Sequence, residues 1–598
     1  MDDQNKNLIL ATALSFLVIL VWFVLFPPEQ PAVDQGAPTV AGETVPIAEA
    51  PSVVATESVA TAEPSPVQSP RAEIDTPRLS GSLSLLGGRI DQLALKDYRE
   101  TLEPDSPNVV LLKPVGQPEA YYAVFGWAPG GSLGAEDVPG PNTEWKLVSG
   151  KQLTPENPLS LEWENAKGLV FRRQISVDDD YMFSVTQQVE NTSGEPVRLA
   201  PYSELVRDGE PSDLKGFFII HEGAIRQDGE ELEEFTYKKM RRFDADEKWG
   251  AGSDVANVES NGWVGFTDHY WMTILIPDKD QAFTSVLQYN EARDTYKSIA
   301  RLATREIKPG ETTSVSTRVF AGAKEWQTIR DYESNLGIYR FIDAIDWGWF
   351  FFLTKPIFAV LHWLNGIIGN MGWAIIGLTL IIKAIMFPLA YKSYVSMAKM
   401  KELQPEMEKL KERAGDDRQK LQKEMMELYR KEKVNPASGC FPILLQIPVF
   451  FSLYKVVFVT LELRHAPWIG WIRDLSAPDP SSVLNLFGLL PYSPPDPNSF
   501  LAVFSIGLLP ILLGISMWLQ QKLNPTPTDP TQKMIFAWMP WVFMFMLGRF
   551  ASGLVLYWIT NNTITFTQQY AIMRKHGHKP DVLGNILKGF KREKSEKE

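Results

Sequence analysis

Residues 373–391, WAIIGLTLIIKAIMFPLAY, form an apolar run long enough to cross a bilayer as one helix, since ~20 apolar residues span ~30 Å of hydrocarbon. Lys383 stands near the middle of the run, with apolar residues on both sides. A charge at that depth costs roughly 2.5–3.5 kcal/mol, so an intramembrane lysine commonly faces a wet cavity and serves a function. The competing reading is a lysine that snorkels along its own stem to the headgroups. From mid-span those lie ~15 Å away, beyond a comfortable reach. The expectation is therefore a membrane protein with a functional buried charge.

Around this run the chain divides in two. Residues 29–340 are polar and acidic, whereas residues 341–570 hold nearly all the long apolar runs. The net charge of −13 arises mainly in the polar half and argues against nucleic-acid binding. Lys and Arg cluster instead at the ends of the later apolar runs. One cysteine, Cys440, excludes an internal disulfide and a thiolate zinc site, and its apolar setting GCFPILLQIP reads as buried. Near the N-terminus, the apolar run 8–26 is followed by Pro27-Pro28-Glu29 without a small-x-small cleavage site, so residues 1–28 read as an uncleaved transmembrane anchor. Lys6 precedes it, and Lys and Arg are nearly absent after it until Arg71, which places the N-terminus in the cytoplasm. Residues 29–77 are rich in Pro, Ala, Val, Thr, Ser and Glu without periodicity, and read as a disordered tether.

From about Leu79 the texture changes to short β-branched and aromatic segments separated by turn signals. In YMFSVTQQV, residues 181–189, polar and apolar residues partly alternate as a half-buried strand requires. Residues 78–340 are predicted to form a large antiparallel β-sandwich. Catalytic signals are scarce there. His221 and His269 form no His-x-x-x-His pair, no Gly-x-Ser-x-Gly elbow occurs, and Asp178, Asp179 and Asp180 read as a solvated turn. A membrane-tethered sugar enzyme would need a carboxylate or histidine pair that is not evident. Residues 341–372 read as an interfacial amphipathic helix, with Ile357, Val360, Leu361, Leu364 and Ile368 on one face and Trp347, Trp349 and Trp363 at headgroup level. A seventh, short span is the alternative.

Further apolar runs occupy residues 441–461, 500–519, 534–547 and 554–570. With 373–391 they make a five-span core over 373–572, and the anchor brings the total to six. The segment 393–435 carries Met400, Leu403, Met407, Leu410 and Ala414 at alternating spacings of three and four, and then Leu421, Met425 and Leu428. This is the pattern of a helical hairpin, and its many Lys and Arg place it in the cytoplasm with the basic tail 573–598. Polar residues inside the spans are unevenly spread. Thr379 lies one turn above Lys383, Gln446 in the inner half of the next span, and Thr560, Asn561, Asn562, Thr563, Thr565 and Thr567 toward the inner end of the last. Convergence of these faces would make a wet groove with one positive charge, open below and sealed above. Gln446 reads equally well as an ordinary helix–helix hydrogen-bonding residue. A secondary transporter using Lys383 for anion or proton coupling is the rival reading, although the paired halves usual in transporters are not evident.

The order of motifs carries a resemblance. An N-terminal anchor and a large acidic domain precede IIKAIMFPLAYKSYVSMAKM, NPASGCFPILLQIPVFFSLYKV, ELRHAPWIGWIRDLSAPDP and FASGLVLYWITNNTITFTQQY. The chain resembles the YidC/Oxa/Alb family of membrane protein insertases in its Gram-negative form. The resemblance implies an ATP-independent insertase and chaperone of the bacterial inner membrane, not an enzyme and without cofactors. No Walker-type phosphate loop is present. It implies a periplasmic β-super-sandwich, both termini in the cytoplasm, and a hydrophilic groove that receives nascent membrane proteins. By motif, Lys383 is the groove charge, typically arginine in the family, with Thr379, Gln446, Asn561 and Asn562 lining the groove. Phe450, Tyr557 and Trp558 match substrate-contacting positions. Implied partners are the Sec translocon, the ribosome and signal-recognition machinery through the hairpin and tail, and the lipid bilayer.

Overall fold

The computed structural model describes residues 69–577 apart from 217–218, 230, 416, 433, 435–440, 496–503 and 525–529. The anchor at 1–28, nearly all of the tether, Cys440 and most of the basic tail lie outside the described residues.

Residues 71–323 build a two-sheet sandwich, of eleven and nine described strands. Leu169–Val177 and Met182–Asn191 pair antiparallel, and their side chains alternate between buried and partly exposed. That period of two sends Leu169, Phe171, Ile175, Phe183, Val185 and Val189 into the core. Trp127, Trp263, Phe125, Phe266 and Phe320 fill the space between the sheets. Among the described strand pairs all are antiparallel except Arg71–Asp75 on Gln152–Leu153. The sandwich begins earlier than composition suggests. Arg71–Asp75 lies within the stretch read as tether, yet it pairs with Leu79–Ser84 and buries Ala72 and Ile74. Two apolar residues among prolines are too faint a signal to mark a strand.

Helix α1, Trp326–Leu336, ends at Gly337 in the left-handed region (φ 67°). Residues 338–347 then fold back onto the sandwich. Phe341 meets Trp263 and Phe320 edge-on, and Trp263 Nε1 donates to the Tyr339 carbonyl at 3.0 Å. Trp347 is not on an exposed face. It is buried against Phe358, and its Nε1 donates to the Ile342 carbonyl at 2.9 Å. Helix α2, Phe351–Ile368, buries Thr354, Phe358 and Leu361 and exposes Phe351, Phe352, Trp363, Ile367 and Ile368. Its exposed side is thus apolar, while Leu364 and the partly exposed Ile368 stand over Gly377.

Helix α3, Met371–Glu402, runs unbroken through Pro388 for 32 residues. At 1.5 Å per residue it is ~48 Å long, so it projects well beyond a ~30 Å hydrocarbon layer. The hairpin therefore has no separate start near 393. It consists of the end of α3, helix α4 (Gln404–Ala414) and helix α5 (Arg418–Lys431). Gly415, at φ 52° and ψ −122°, makes the turn in a conformation that only glycine adopts readily. Met407, Ala414 and Leu428 are the buried zip between α4 and α5.

Four more helices complete the bundle: α6 (Phe441–Val459), α7 (Leu508–Leu523), α8 (Pro530–Leu547) and α9 (Ser552–Lys575). Helix α9 packs on α3, α6 and α7, and α8 packs on α7. Helix α7 starts at Leu508 rather than near 500, where the Asp479 carboxylate accepts from Leu509 N at 2.8 Å and Ser481 Oγ from Leu508 N at 2.9 Å. Among the described helices, α2 and α3 have the length and apolarity to cross a membrane, while 446–459 and 534–547 are shorter apolar stretches.

Sandwich and helices share one continuous apolar core. Their junction is also polar. Lys455 of α6 is buried and donates to Asp346 Oδ2 at 2.5 Å and to the Ile219 carbonyl. Asp346 accepts in addition from His221 N at 2.8 Å and Gly348 N at 3.0 Å. The His269 ring stacks on Tyr270 and Phe458, and its Nε2 donates to the Phe458 carbonyl at 2.7 Å. Arg464 Nη2 donates to the Arg99 carbonyl at 2.6 Å.

Removing one partner of a buried ion pair strands the other, at a cost of roughly 3–5 kcal/mol. Lys455→Met should loosen the sandwich from α6, seen as faster hydrogen exchange at residues 221–224 and 455–459; Lys455→Arg should restore much of the protection. The junction should also be acid-sensitive. Burial pushes His221 down to about 4 and His269 down to about 3, from 6.5. A base with a lowered folded pKa contributes stability that is present above 6.5 and lost as pH falls from there toward 3–4. The loss amounts to about 2 kcal/mol per histidine at pH 5. Thermal unfolding between pH 7.5 and 5 should show this decline, and His269→Gln should flatten it.

Candidate functional site

Helix α9 reads SGLVLYWITNNTITFTQQYAIMRK, and Tyr557, Asn561, Asn562, Thr565 and Gln569 are all buried. Polar groups away from water must find partners, and on a helix their spacing decides which neighbour supplies them. Asn561 and Thr565 are four apart and share the side toward α3. Thr565 Oγ1 donates to the Asn561 carbonyl at 2.7 Å and accepts from Lys383 Nζ at 2.9 Å. Asn562 and Gln569, two turns apart, face α7. Asn562 Nδ2 donates to Ser516 Oγ at 3.0 Å, and Gln569 Nε2 to Asn524 Oδ1 at 3.1 Å. Tyr557 faces α6, where Gln446 Nε2 donates to its hydroxyl at 2.6 Å. One helix therefore makes polar contacts with three neighbours.

Lys383 is half-buried, and among the described residues no carboxylate reaches it. Leu380 and Ile385 on the remaining faces of α3 are exposed. Asn561 Oδ1 is buried and has no hydrogen-bond partner among the described residues.

Several expected site residues are placed otherwise. Thr379 is fully buried and donates to its own helix at the Ile375 carbonyl, 2.7 Å away, so it does not join Lys383. Thr565, in the polar run of α9, is the residue that does. Gln446 is engaged by Tyr557 rather than by the lysine. Tyr557 is only 1% exposed, with its hydroxyl held by Gln446. Phe450 and Trp558 are partly accessible and stack at 4.6 Å, with Tyr454 continuing the ladder from Phe450 at 6.0 Å. Ser516 was the least legible member: it is a lone hydroxyl in LLGISMWL, and only the need of Asn562 for a partner points to it.

The end of the bundle nearer the sandwich is closed. Trp468 packs where a side chain on Gly372 would stand, since a Cβ there would lie 2.2 Å from the indole Cδ1. Asn370 Nδ2 donates to the Trp468 carbonyl at 3.3 Å. Ser552 N and Gly553 N, at the start of α9, donate to the carbonyls of Ala477 and Leu475 at 2.7 and 2.8 Å. The connection between α6 and α7 is thus tied to the first turns of α3 and α9.

Two family models match the chain: the 60Kd inner membrane protein over residues 363–579 and the YidC periplasmic domain over residues 71–360. It is 63% identical to the membrane protein insertase YidC of Dinoroseobacter shibae and 61% identical to that of Ruegeria pomeroyi, each covering 99% of both chains. The crystal structure of an active YidC insertase with its first transmembrane domain resolved is similar at 18% identity and a TM-score of 0.35, covering 84% of this chain and 93% of that one. A galactose mutarotase related enzyme from Lactobacillus acidophilus is similar at 9% identity and a TM-score of 0.28, over 42% of this chain and 97% of that one.

The Gln446–Tyr557 contact should behave as packing. Tyr557→Phe and Gln446→Leu should each lower the thermal midpoint in detergent by the equivalent of about 1 kcal/mol, and the double substitution by less than the sum. Tyr557→Phe should leave activity nearly intact, whereas Phe450→Ala and Trp558→Ala should reduce it.

Proposed function

The chain belongs to the YidC family of membrane protein insertases, and on that premise we propose that it inserts and folds nascent integral membrane proteins through a groove lined by α3, α6, α7 and α9. As a member of that family it is an insertase and not an enzyme. The observation that carries the reading is Lys383. It is a cation in the middle of an apolar helix, hydrogen-bonded to Thr565 and without a carboxylate among the described residues. An isolated charge at that depth suits transient attraction of a guest better than a fixed structural pair. The closed end of the bundle supports a groove with one mouth, which receives polar segments and does not conduct.

Under this proposal five spans, α3 and α6 to α9, form the core, and the anchor at 1–28 makes six. Helix α2 lies at the interface with its aromatic side in lipid. The end of α3 with Lys399 and Lys401, and helices α4 and α5 with Lys411, Arg413, Arg430 and Lys431 near their ends, are cytoplasmic together with both termini. The sandwich is then periplasmic, and the membrane is the bacterial inner membrane. A guest's polar flank enters beside Lys383 and Thr565, while its apolar segment slides past Phe450 and Trp558 into lipid. Transfer of that segment supplies the driving force, ~25 cal/mol per Å² of apolar surface. The hairpin and basic tail are the proposed contacts for the ribosome and signal-recognition machinery, and the Sec translocon is the proposed membrane partner. The relatives lend no support to a transporter.

Lys383→Ala should slow insertion of substrates with acidic tails several-fold, and Lys383→Arg should preserve it. Protease protection of substrates in proteoliposomes measures this. Equal rates for Lys383→Ala and the unaltered protein across acidic and neutral tails would remove the groove charge from the mechanism.

A further inference from the structure

Between α6 and α7 the chain makes an inside-out turn. Residues 481–495, SSVLNLFGLLPYSPP, contain no charged side chain. Two polar residues at the centre of the turn point inward: Ser482 is fully buried and Asn485 is 7% exposed. Its apolar residues point outward, with Leu484, Leu486 and Phe487 well exposed and Leu489 84% exposed. Leu486 and Phe487 are both in the left-handed region, at φ 51° and 58°. For bulky residues that conformation is strained and persists only where the surroundings impose it.

The hydrogen bonds that impose it are present. Phe487 N donates to the Ser482 carbonyl at 2.8 Å, Leu490 N to the Asn485 carbonyl at 3.1 Å, and Val483 N to the Ile506 carbonyl at 2.9 Å. Gly488 N donates to Asn485 Oδ1 at 3.1 Å, Leu484 N to Ser482 Oγ at 3.1 Å, and the Tyr492 hydroxyl to the Leu484 carbonyl at 2.8 Å. Ser505 Oγ meets Ser482 Oγ at 2.7 Å, fixing the turn to the residues that lead into α7.

A loop in water has no need to satisfy its amides internally while displaying four large apolar side chains. A loop in lipid needs both, since unpaired backbone groups there cost several kcal/mol each. The length of α7 points the same way. Its 16 residues span only ~24 Å, short of the ~30 Å hydrocarbon thickness, and the turn sits at its first residues.

We propose that Leu484, Leu486, Phe487 and Leu489 form a rigid apolar knuckle immersed in the outer leaflet, completing the apolar belt above the short α7. The inference rests on the topology proposed above, in which this end of the bundle faces the periplasm. The knuckle sets the depth of the closed end, so that the cap over the groove lies within the leaflet rather than above it.

Nitroxide labelling of the full-length protein in phosphatidylcholine–phosphatidylglycerol vesicles tests this, using Cys440→Ser or Cys440→Ala backgrounds that retain insertion activity. Labels at Leu489→Cys and Leu486→Cys should collide several-fold more with oxygen than with a water-soluble nickel complex, at a depth of about 5–10 Å below the headgroup boundary. A label at Ser149→Cys on the sandwich should show the reverse preference, and one at Ile385→Cys on α3 should lie deeper. Nickel access at Leu489 and Leu486 equal to that at Ser149 overturns the proposal. Protection of both labels from both reagents also overturns it, in favour of a covering protein. If the Ile385 label is itself in water, the topology has failed; if Ile385 is deep and the knuckle is wet, only the knuckle has.

Discussion

The buried polar side chains of helix α9 need partners away from water, and the bundle is arranged around that constraint. Thr565 is satisfied by α3, Asn562 by α7 and Tyr557 by α6. Each contact also specifies which face a neighbour presents, because an unpaired buried donor or acceptor costs more than a paired one returns. Apolar contacts between helices in lipid are weakly selective, since a lipid tail is as apolar as a leucine. The polar seam is therefore what fixes the rotation of α3, α6 and α7 about their axes. Lys383 belongs to this seam, yet its single hydroxyl partner leaves the charge uncompensated among the described residues. The structural and the proposed functional roles of α9 thus meet at Thr565.

Helix α6 is held from two sides. Gln446 and Phe450 face α9, while Lys455 and Phe458 face the sandwich through Asp346 and His269. The large β domain is accordingly more than a tethered appendage: its core runs without interruption into the bundle, and residues 338–347 are packed rather than extended. Whatever displaces the sandwich would be felt at the helix that carries Phe450, one of the residues proposed to meet the guest.

Much of this was legible from the chain. Partial alternation in residues 181–189, within the strand Met182–Asn191, announced the sandwich, and the apolar runs announced the helical core. Ends of elements were less legible. The apolar run ends at Tyr391 and the hairpin was read as starting at 393, but α3 continues through Pro388 to Glu402, since one missing amide donor does not break a helix whose neighbours hold it. Arg71–Asp75 was hidden among prolines, and Trp347 looked interfacial because tryptophan generally favours headgroups, whereas here its indole finds the Ile342 carbonyl inside the fold.

The sequence by itself determined that a charge must be accommodated in an apolar span, that polar residues gather near one end of the last helix, and that the motif order is that of a known insertase family. The first two follow from composition and spacing, which act locally; the third is a resemblance carried by the motifs. Only the tertiary structure decided who pairs with whom. Thr379 and Lys383 are one turn apart on one helix, yet the threonine turns to its own backbone and the lysine to Thr565, 182 residues away. Position along a helix sets the direction of a side chain, but satisfaction of a buried polar group depends on what the neighbouring helix brings to it.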